Sequence, residues 1–515
     1  MLVKTFGSAV TGIHAMTITV EVNLMGQSGF AIVGLPDNAV RESRERIEAA
    51  IKYNCYDYPR GRLTINMAPA DVRKEGSAYD LTIAIGILCA SGQINIFPAE
   101  LEQYLIMGEL SLDGTLRPIR GALPIAVQAR AEKFKAFLLP ADNGEEAGIV
   151  NSIDVIPIHT LQDAIDFIEQ KRKIPPIKID TREIFAHESN QFELNFSDVK
   201  GQANVKRALE VAAAGGHNAI LIGPPGAGKS MLAKRLPSIL PPLSLEEALE
   251  TTKIHSVAGK LGKVKGLVPH RPFRAPHHTI SDVALVGGGN QPQPGEISLA
   301  HNGVLFMDEL PEFKRTVLEV MRQPLEERMI TISRAKFAVE YPANFMLIAS
   351  MNPCPCGYYN HPEKECVCAP GVVNRYLSRI SGPLLDRIDI QIEVTPVPFD
   401  DLTSKAESEK SESIRERVKN AREIQQERYA SLNGIHSNAM MPPNLIRELC
   451  QLDTPSENLL KTAMNRLKLS ARAYDRILKV ARTIADLDNK PNITHIHISE
   501  AIGYRNLDRE NWGGS

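Results

Sequence analysis

Hydrophobic and polar positions change period several times along the 515-residue chain, and each change marks an element. Near the N-terminus Ile18, Val20 and Val22 alternate with Thr17, Thr19 and Glu21, the two-residue period of a strand with one buried face. Past GFAIVGLPD the period lengthens. In NAVRESRERIEAAIKY, Val40, Ile47 and Ile51 fall on one helical face. Another strand, GRLTINMAP, precedes a helix over 79–90, whose run 81–90 is the longest nearly apolar stretch and contains Thr82 and Gly86. A membrane span needs about 20 such residues, so this run predicts a buried helix. A short strand at 104–107 leads into a turn at Asp113-Gly114.

The first 170 residues therefore read as one α/β domain. The segment KRKIPPIKIDTREIFAHESN combines charge, a proline pair and weak periodicity, and predicts a linker over 171–195. Over 196–395 strands alternate with helices, as a parallel sheet requires. The region 396–515 predicts an all-helical lid. It opens on a charged stretch with Ile414, Val418 and Ala421 on one side, and then reads as helical throughout 442–505, with one long run over 457–487.

Composition narrows the class. Hydrophobic residues make up 43% and charged residues 23% of the chain, an ordinary globular balance that excludes collagen-like, coiled-coil and disordered chains. With 59 basic against 61 acidic residues the net charge is −2. Any surface for nucleic acid must then be local. The N-terminus MLVKTFGSAVTGIHAM has no long apolar stretch, which predicts a cytoplasmic protein without a membrane partner.

The clearest chemistry is GPPGAGKS: Gly223, Pro224, Pro225, Gly226, Ala227, Gly228, Lys229 and Ser230, after the apolar run 219–222. A strand feeding such a loop, with a helix behind it, wraps phosphates in backbone N–H groups. Lys229 would neutralise the β/γ phosphates of ATP and Ser230 would ligate Mg²⁺. Residues 303–309 form an apolar strand ending in Asp308 and Glu309. Asp308 would hold the Mg²⁺ through water, and Glu309 would polarise the attacking water. A third strand, 345–350, ends near Asn352, whose amide can orient the same water.

Seven cysteines are too few for a disulfide scaffold in so long a chain, yet Cys354, Cys356, Cys366 and Cys368 lie together as C-P-C-G, nine residues, C-V-C. Four thiolates could close a tetrahedral structural Zn²⁺ site, with His361 as a spare ligand.

GPPGAGKS, VLFMDEL, the Asn352 strand, SGPLLDRID and LSARAYDRILKVARTIADL come in the order of AAA+ ATPases. GGHN before the phosphate loop, FRAPHHTISDVALVGGG and NPCPCG resemble more narrowly the magnesium-chelatase-like ComM/YifB family. The resemblance implies ATP hydrolysis in a homo-oligomeric ring, a hexamer, with Arg387 as an arginine finger reaching the neighbouring subunit's phosphate and Arg472 as the sensor-2 arginine. Arg379 is a second finger candidate. The resemblance also implies a helicase-like motor for branch migration on single-stranded, double-stranded or branched DNA in recombination or natural transformation.

Pore hairpins are implied as well: 329–341, with Arg334 and Lys336 at a basic tip suited to DNA phosphates, and 273–289 as a second pore element. The cysteine segment, between Asn352 and Arg387, would brace the loop carrying the finger. Residues 1–170 resemble the Lon-type (S5-type) protease domain around KEGSAYDL and GELSLDGTLRPIRGALPIA. Its catalytic serine falls on Ala78 and its lysine on Leu123, while the adjacent Ser77 lacks an evident lysine partner. A serine nucleophile needs such a base, so this domain reads as a non-proteolytic binding or assembly module. Competing readings are the motor subunit of a magnesium chelatase, an ATP-dependent protease, and an AAA+ remodeller of an unknown protein.

Overall fold

The computed structural model describes residues 2–26, 29–180, 192–261, 266–289, 292–334, 337–359, 361, 363–369, 371–397, 408–432 and 434–505. The chain divides into two compact units, Met1–Glu188 with Leu245–Pro269, and Ser189–Ser244 with His270–Ser515.

In the first unit the strands are β1 (Leu2–Thr11), β2 (His14–Met25), β3 (Gly29–Val33), β4 (Arg62–Ala68), β5 (Tyr104–Ile106), β6 (Glu109–Leu110), β7 (Leu116–Arg117), β8 (Ala136–Pro140) and β9 (Asp154–Ile158). Seven form one sheet in the order β3-β4-β2-β1-β5-β8-β9, while β6 and β7 pair separately. β1 and β2 are an antiparallel hairpin with Leu2 opposite Asn23 and Thr11 opposite His14. The alternation read in β2 is realised: Ile18, Val20 and Val22 are fully buried. The helix Asp80–Ala90 is buried at every residue. Gly86 permits its close approach to the sheet, since a Cβ there would stand 2.7 Å from Val22 Cγ2.

The helix Leu245–Val257 lies in sequence between the phosphate loop and Asp308, yet packs within this first unit. Ser256 donates to Glu146 at 2.5 Å, and the same carboxylate accepts from Leu123 N–H at 2.9 Å and Asn143 Nδ2 at 3.2 Å. Burial pushes the Glu146 carboxyl above the usual carboxylate range. Leu123 itself is fully buried. Ser77 donates to the Glu109 carboxylate, and the buried Lys74 amine donates to the Pro69 carbonyl, so each of these polar side chains is satisfied elsewhere than in a serine–lysine pair.

The second unit holds β10 (Ala219–Ile222), β11 (Phe273–Arg274), β12 (Gly287–Gly288), β13 (Gln293–Pro294), β14 (Val304–Met307), β15 (Met329–Arg334), β16 (Phe337–Pro342), β17 (Met346–Met351) and β18 (Ile390–Glu393). Its main sheet has the order β11-β14-β17-β10-β18, every pair parallel. Phe273 and Arg274 are therefore an edge strand of this sheet, not part of a pore insert, while the helix Asp282–Val286 and the β12–β13 hairpin stand outside it. β15 and β16 form the expected hairpin, and Tyr341 anchors it by donating to the Pro292 carbonyl at 2.8 Å. Lys336 and the side chain of Arg334 lie outside the described residues.

The helical region carries Ser411–Tyr429, Pro443–Leu449, Thr454–Leu467, Ala471–Leu487 and His495–Gly503. Ile414, Val418 and Ala421 are buried as their spacing predicts. The single run expected over 457–487 is broken. Lys468 takes a left-handed backbone with φ 49°, and Ser470 caps the next helix by accepting from Ala473 N–H at 3.2 Å. A serine cap outweighs helical periodicity at this point. The break sets Arg472 in the first turn of Ala471–Leu487. No described helix is long and apolar enough to cross a membrane.

Candidate nucleotide site and the arginines opposite it

Gly223–Gly228 leave β10 and enter the helix Lys229–Arg235. Gly226 and Gly228 have φ 79° and 88° with open space where a side chain would lie. That left-handed backbone turns the loop's N–H groups toward one concavity. Lys229 is buried, and its Nζ donates to the carbonyls of Gly223 at 2.7 Å and Pro224 at 2.9 Å and to Asn352 Oδ1 at 3.1 Å. Burial lowers its pKa, against the opposing pull of Asp308 and Glu309. A phosphate oxygen would supply what these neutral acceptors only approximate.

Ser230 Oγ donates to Asp308 Oδ2 at 2.6 Å, which joins the two residues expected to share Mg²⁺. Both offer oxygen ligands, the donor type this ion requires. Asp308 Oδ1 accepts from the Ser350 hydroxyl and from Glu309 N–H at 3.1 Å. Glu309 has a left-handed backbone, φ 55°, an unfavourable state for a residue with a side chain and one found at functional turns. Its carboxylate stays more than half exposed, 3.6 Å from His278 Nδ1. Parallel pairing of β10, β14 and β17 thus brings Lys229, Ser230, Asp308, Glu309 and Asn352 to the C-terminal end of one sheet. Ser350 and His278 were missed by the sequence reading. Ser350 was legible as the one hydroxyl within the apolar run 345–351, whereas His278 follows the edge strand and carried no local signal.

The arginines lie at the other end. Asp389 precedes β18, which runs parallel to β10 with Ala219 beside Ile390 and Ile222 beside Glu393. Asn218 fixes this end: its Nδ2 donates to the Arg387 carbonyl at 3.0 Å and its Oδ1 accepts from Leu347 N–H at 2.8 Å. Strands of four residues separate the two ends by on the order of 10 Å. Arg387 is buried, donating to the Pro383 carbonyl and to Glu326. Arg472 is exposed, with its Nη1 3.2 Å from Asp386.

Glu326, Asp386, Arg387, Arg472, Arg476 and Lys479 line one cavity of about 270 Å³. Burial and the nearby Arg476 lower the Lys479 pKa to about 8. Arg379 is elsewhere. It pairs with Glu312 at 3.0 Å and with the Pro311 carbonyl, just past Glu309, at the phosphate-loop end.

The four cysteine sulfurs lie within 4.8 Å of one another, Cys354 being buried and the others partly so. His361 is not in this group; its Nδ1 accepts from the backbone N–H groups of Glu363 and Lys364.

These features agree with the relatives of the chain. Residues 195–402 match the family model described as magnesium chelatase, subunit ChlI; models for subunit ChlI of Mg-chelatase and for the ChlI C-terminal part match 18–143 and 408–505. The chain is 43% identical over 506 residues to competence protein ComM of Haemophilus influenzae, covering 98% of this chain and 97% of that one. It is 44% identical over 504 residues to YifB of Escherichia coli, covering 97% and 96%. Lon protease 2 of Bacillus subtilis is 28% identical over 190 residues, 31% of this chain and 33% of that protein. The chain belongs to the ComM/YifB family of magnesium-chelatase-like AAA+ ATPases.

Proposed function

We propose that the chain is an ATP-driven ring motor acting on DNA, a helicase for branch migration during recombination or uptake of DNA. The observation that carries the ring is the separation just described. Lys229, Ser230, Asp308, Glu309 and Asn352 share one end of the sheet, and Arg387 and Arg472 share a cavity at the other, among the carboxylates of Glu326, Asp386 and Asp475. Two arginines so placed are out of reach of their own phosphate loop. They suit the γ-phosphate of ATP held by a second copy, as a permanent planar cation suits a phosphoryl group in transfer. A closed homo-oligomer, most simply a hexamer, supplies every site with such a neighbour. Arg379, at the phosphate-loop end, fits this role less well.

The residues present fit ATP with Mg²⁺, which would supply charge neutralisation of the phosphates when bound. Lys229 would hold the β/γ oxygens, Ser230 and Asp308 the metal shell. Glu309, exposed and within reach of a water, would take its proton as Asn352 orients it. The DNA part rests on two supports: the β15–β16 hairpin, whose tip carries Arg334 and Lys336 in sequence, and the competence role in the name of the Haemophilus relative. Salt-dependent binding would follow from such phosphate contacts.

A second reading, a chelatase-type motor subunit, is favoured by the descriptions of the matching family models. The deciding experiment measures ATPase rate without DNA and with single-stranded, double-stranded and branched DNA, alongside strand separation by the purified protein alone. Stimulation by DNA that weakens in Lys336→Ala supports the motor on DNA. Hydrolysis indifferent to every DNA, with no strand separation, rules that substrate out and leaves the ATPase standing.

A further inference from the structure

We propose that Cys354, Cys356, Cys366 and Cys368 hold one Zn²⁺ ion and that this metal knot clamps the rim of the phosphate loop, so that nucleotide affinity depends on the metal. The inference rests on reading Gly223–Ser230 as the nucleotide site. Its first support is sulfur geometry. Cys354 and Cys356 sulfurs are 3.3 Å apart, Cys354 and Cys366 3.7 Å, Cys356 and Cys366 3.6 Å. A tetrahedron of Zn–S bonds of about 2.3 Å puts its sulfurs about 3.8 Å apart. A disulfide would bring one pair to about 2.0 Å.

The backbone supplies the second support: the Gly357 N–H donates to the Cys354 carbonyl at 3.0 Å, a tight turn that holds the segment between the first two cysteines and the rest of the knot. Binding would release the thiol protons to solvent.

The connection to the nucleotide is steric. Gly357, inside the knot, has φ 86°, and a Cβ there would stand 2.8 Å from Pro225 Cγ and closer still to Cδ. Pro225 is the third residue of the phosphate loop. The other side of the knot is also tied in, because Cys354 follows Asn352, the acceptor of Lys229, by two residues. The segment thus braces the phosphate loop, where the sequence suggested the loop of Arg387. Without the ion, four thiols would have no reason to stay convergent, and both Pro225 and Asn352 would lose a fixed neighbour.

The test uses the full-length chain purified under reducing conditions. Elemental mass spectrometry should find one zinc per chain; no metal, or iron in its place, overturns the site. Titration with a fluorescent ATP analogue should show affinity about tenfold weaker after chelation or in Cys366→Ser, a coupling of ordinary size. Unchanged affinity overturns the clamp.

Gly357→Ala serves if the cysteine variant does not fold. It keeps every thiolate and should keep its zinc while weakening the analogue. Equal affinity in that variant also overturns the clamp. Lys229→Ala separates the premises: it should keep zinc and lose the analogue. If Lys229→Ala binds nucleotide normally, the nucleotide-site reading fails; if it does not, only the metal arms judge the clamp.

Discussion

His217 Nδ1 lies 3.1 Å from Asp389 Oδ2, and both side chains are sealed from solvent. Nε2 of the same ring meets Thr483 Oγ1 of the helix Ala471–Leu487 at 2.8 Å. One imidazole thus ties the entry of β10, the entry of β18 and the helix carrying Arg472. Burial opposes ionisation of Asp389, but Arg476 and His217 hold its carboxyl well below the usual range. For His217 burial outweighs Asp389, with Lys479 and Arg476 opposing a further positive charge, and keeps the ring neutral.

This burial predicts a pH dependence. The unfolded chain takes up a proton at an ordinary histidine, pKa about 6.5, that the folded chain refuses. The stability due to neutral His217 is fully present above that pH and declines as pH falls below it, by up to about 1.4 kcal/mol per unit. His497, also lowered by burial, adds to the slope. Chemical denaturation between pH 7 and 5 should show the decline, and His217→Gln should remove one proton from it.

Lys229→Ala should reduce ATP turnover by roughly 100-fold or more, the scale of losing one preorganised charge at a reacting group. It should also weaken ATP binding, because Lys229 is the cation that faces Asn352 across the loop. Steady-state hydrolysis beside an equilibrium titration checks both.

Glu309→Gln should separate binding from chemistry. The side chain touches neither Lys229 nor Ser230 and is held near His278, so ATP affinity should persist. Hydrolysis should fall about 10²- to 10⁴-fold, the contribution of a general base. Single-turnover hydrolysis with a binding isotherm distinguishes this from a folding defect.

Arg387→Ala and Lys229→Ala, each inactive alone, should regain part of the ATPase rate when mixed. A ring containing both has some interfaces with an intact phosphate loop facing an intact Arg387. No recovery over a range of mixing ratios would place both groups in one site within one chain, against the parallel register of β10 and β18.

Sequence alone determined whatever depends on near neighbours in the chain. The glycines of 223–228 and the following Lys229 and Ser230 must form a phosphate loop wherever they stand, because backbone conformation and charge there are local properties. The strand ending in Asp308 and the buried helix Asp80–Ala90 were legible for the same reason, and so was the cysteine cluster.

Tertiary structure alone decided which ends of the sheet meet. Parallel pairing of β10 with β17 and β18 sends Asn352 to Lys229 and Arg387 away from it. Helix Leu245–Val257 left the unit that its place in sequence suggested, and Gly357 came to rest on Pro225. His217 became a buried link to Thr483 rather than a mere signature before the loop. These outcomes depend on packing between residues distant in sequence, where burial and steric fit override the local preferences that a linear pattern can express.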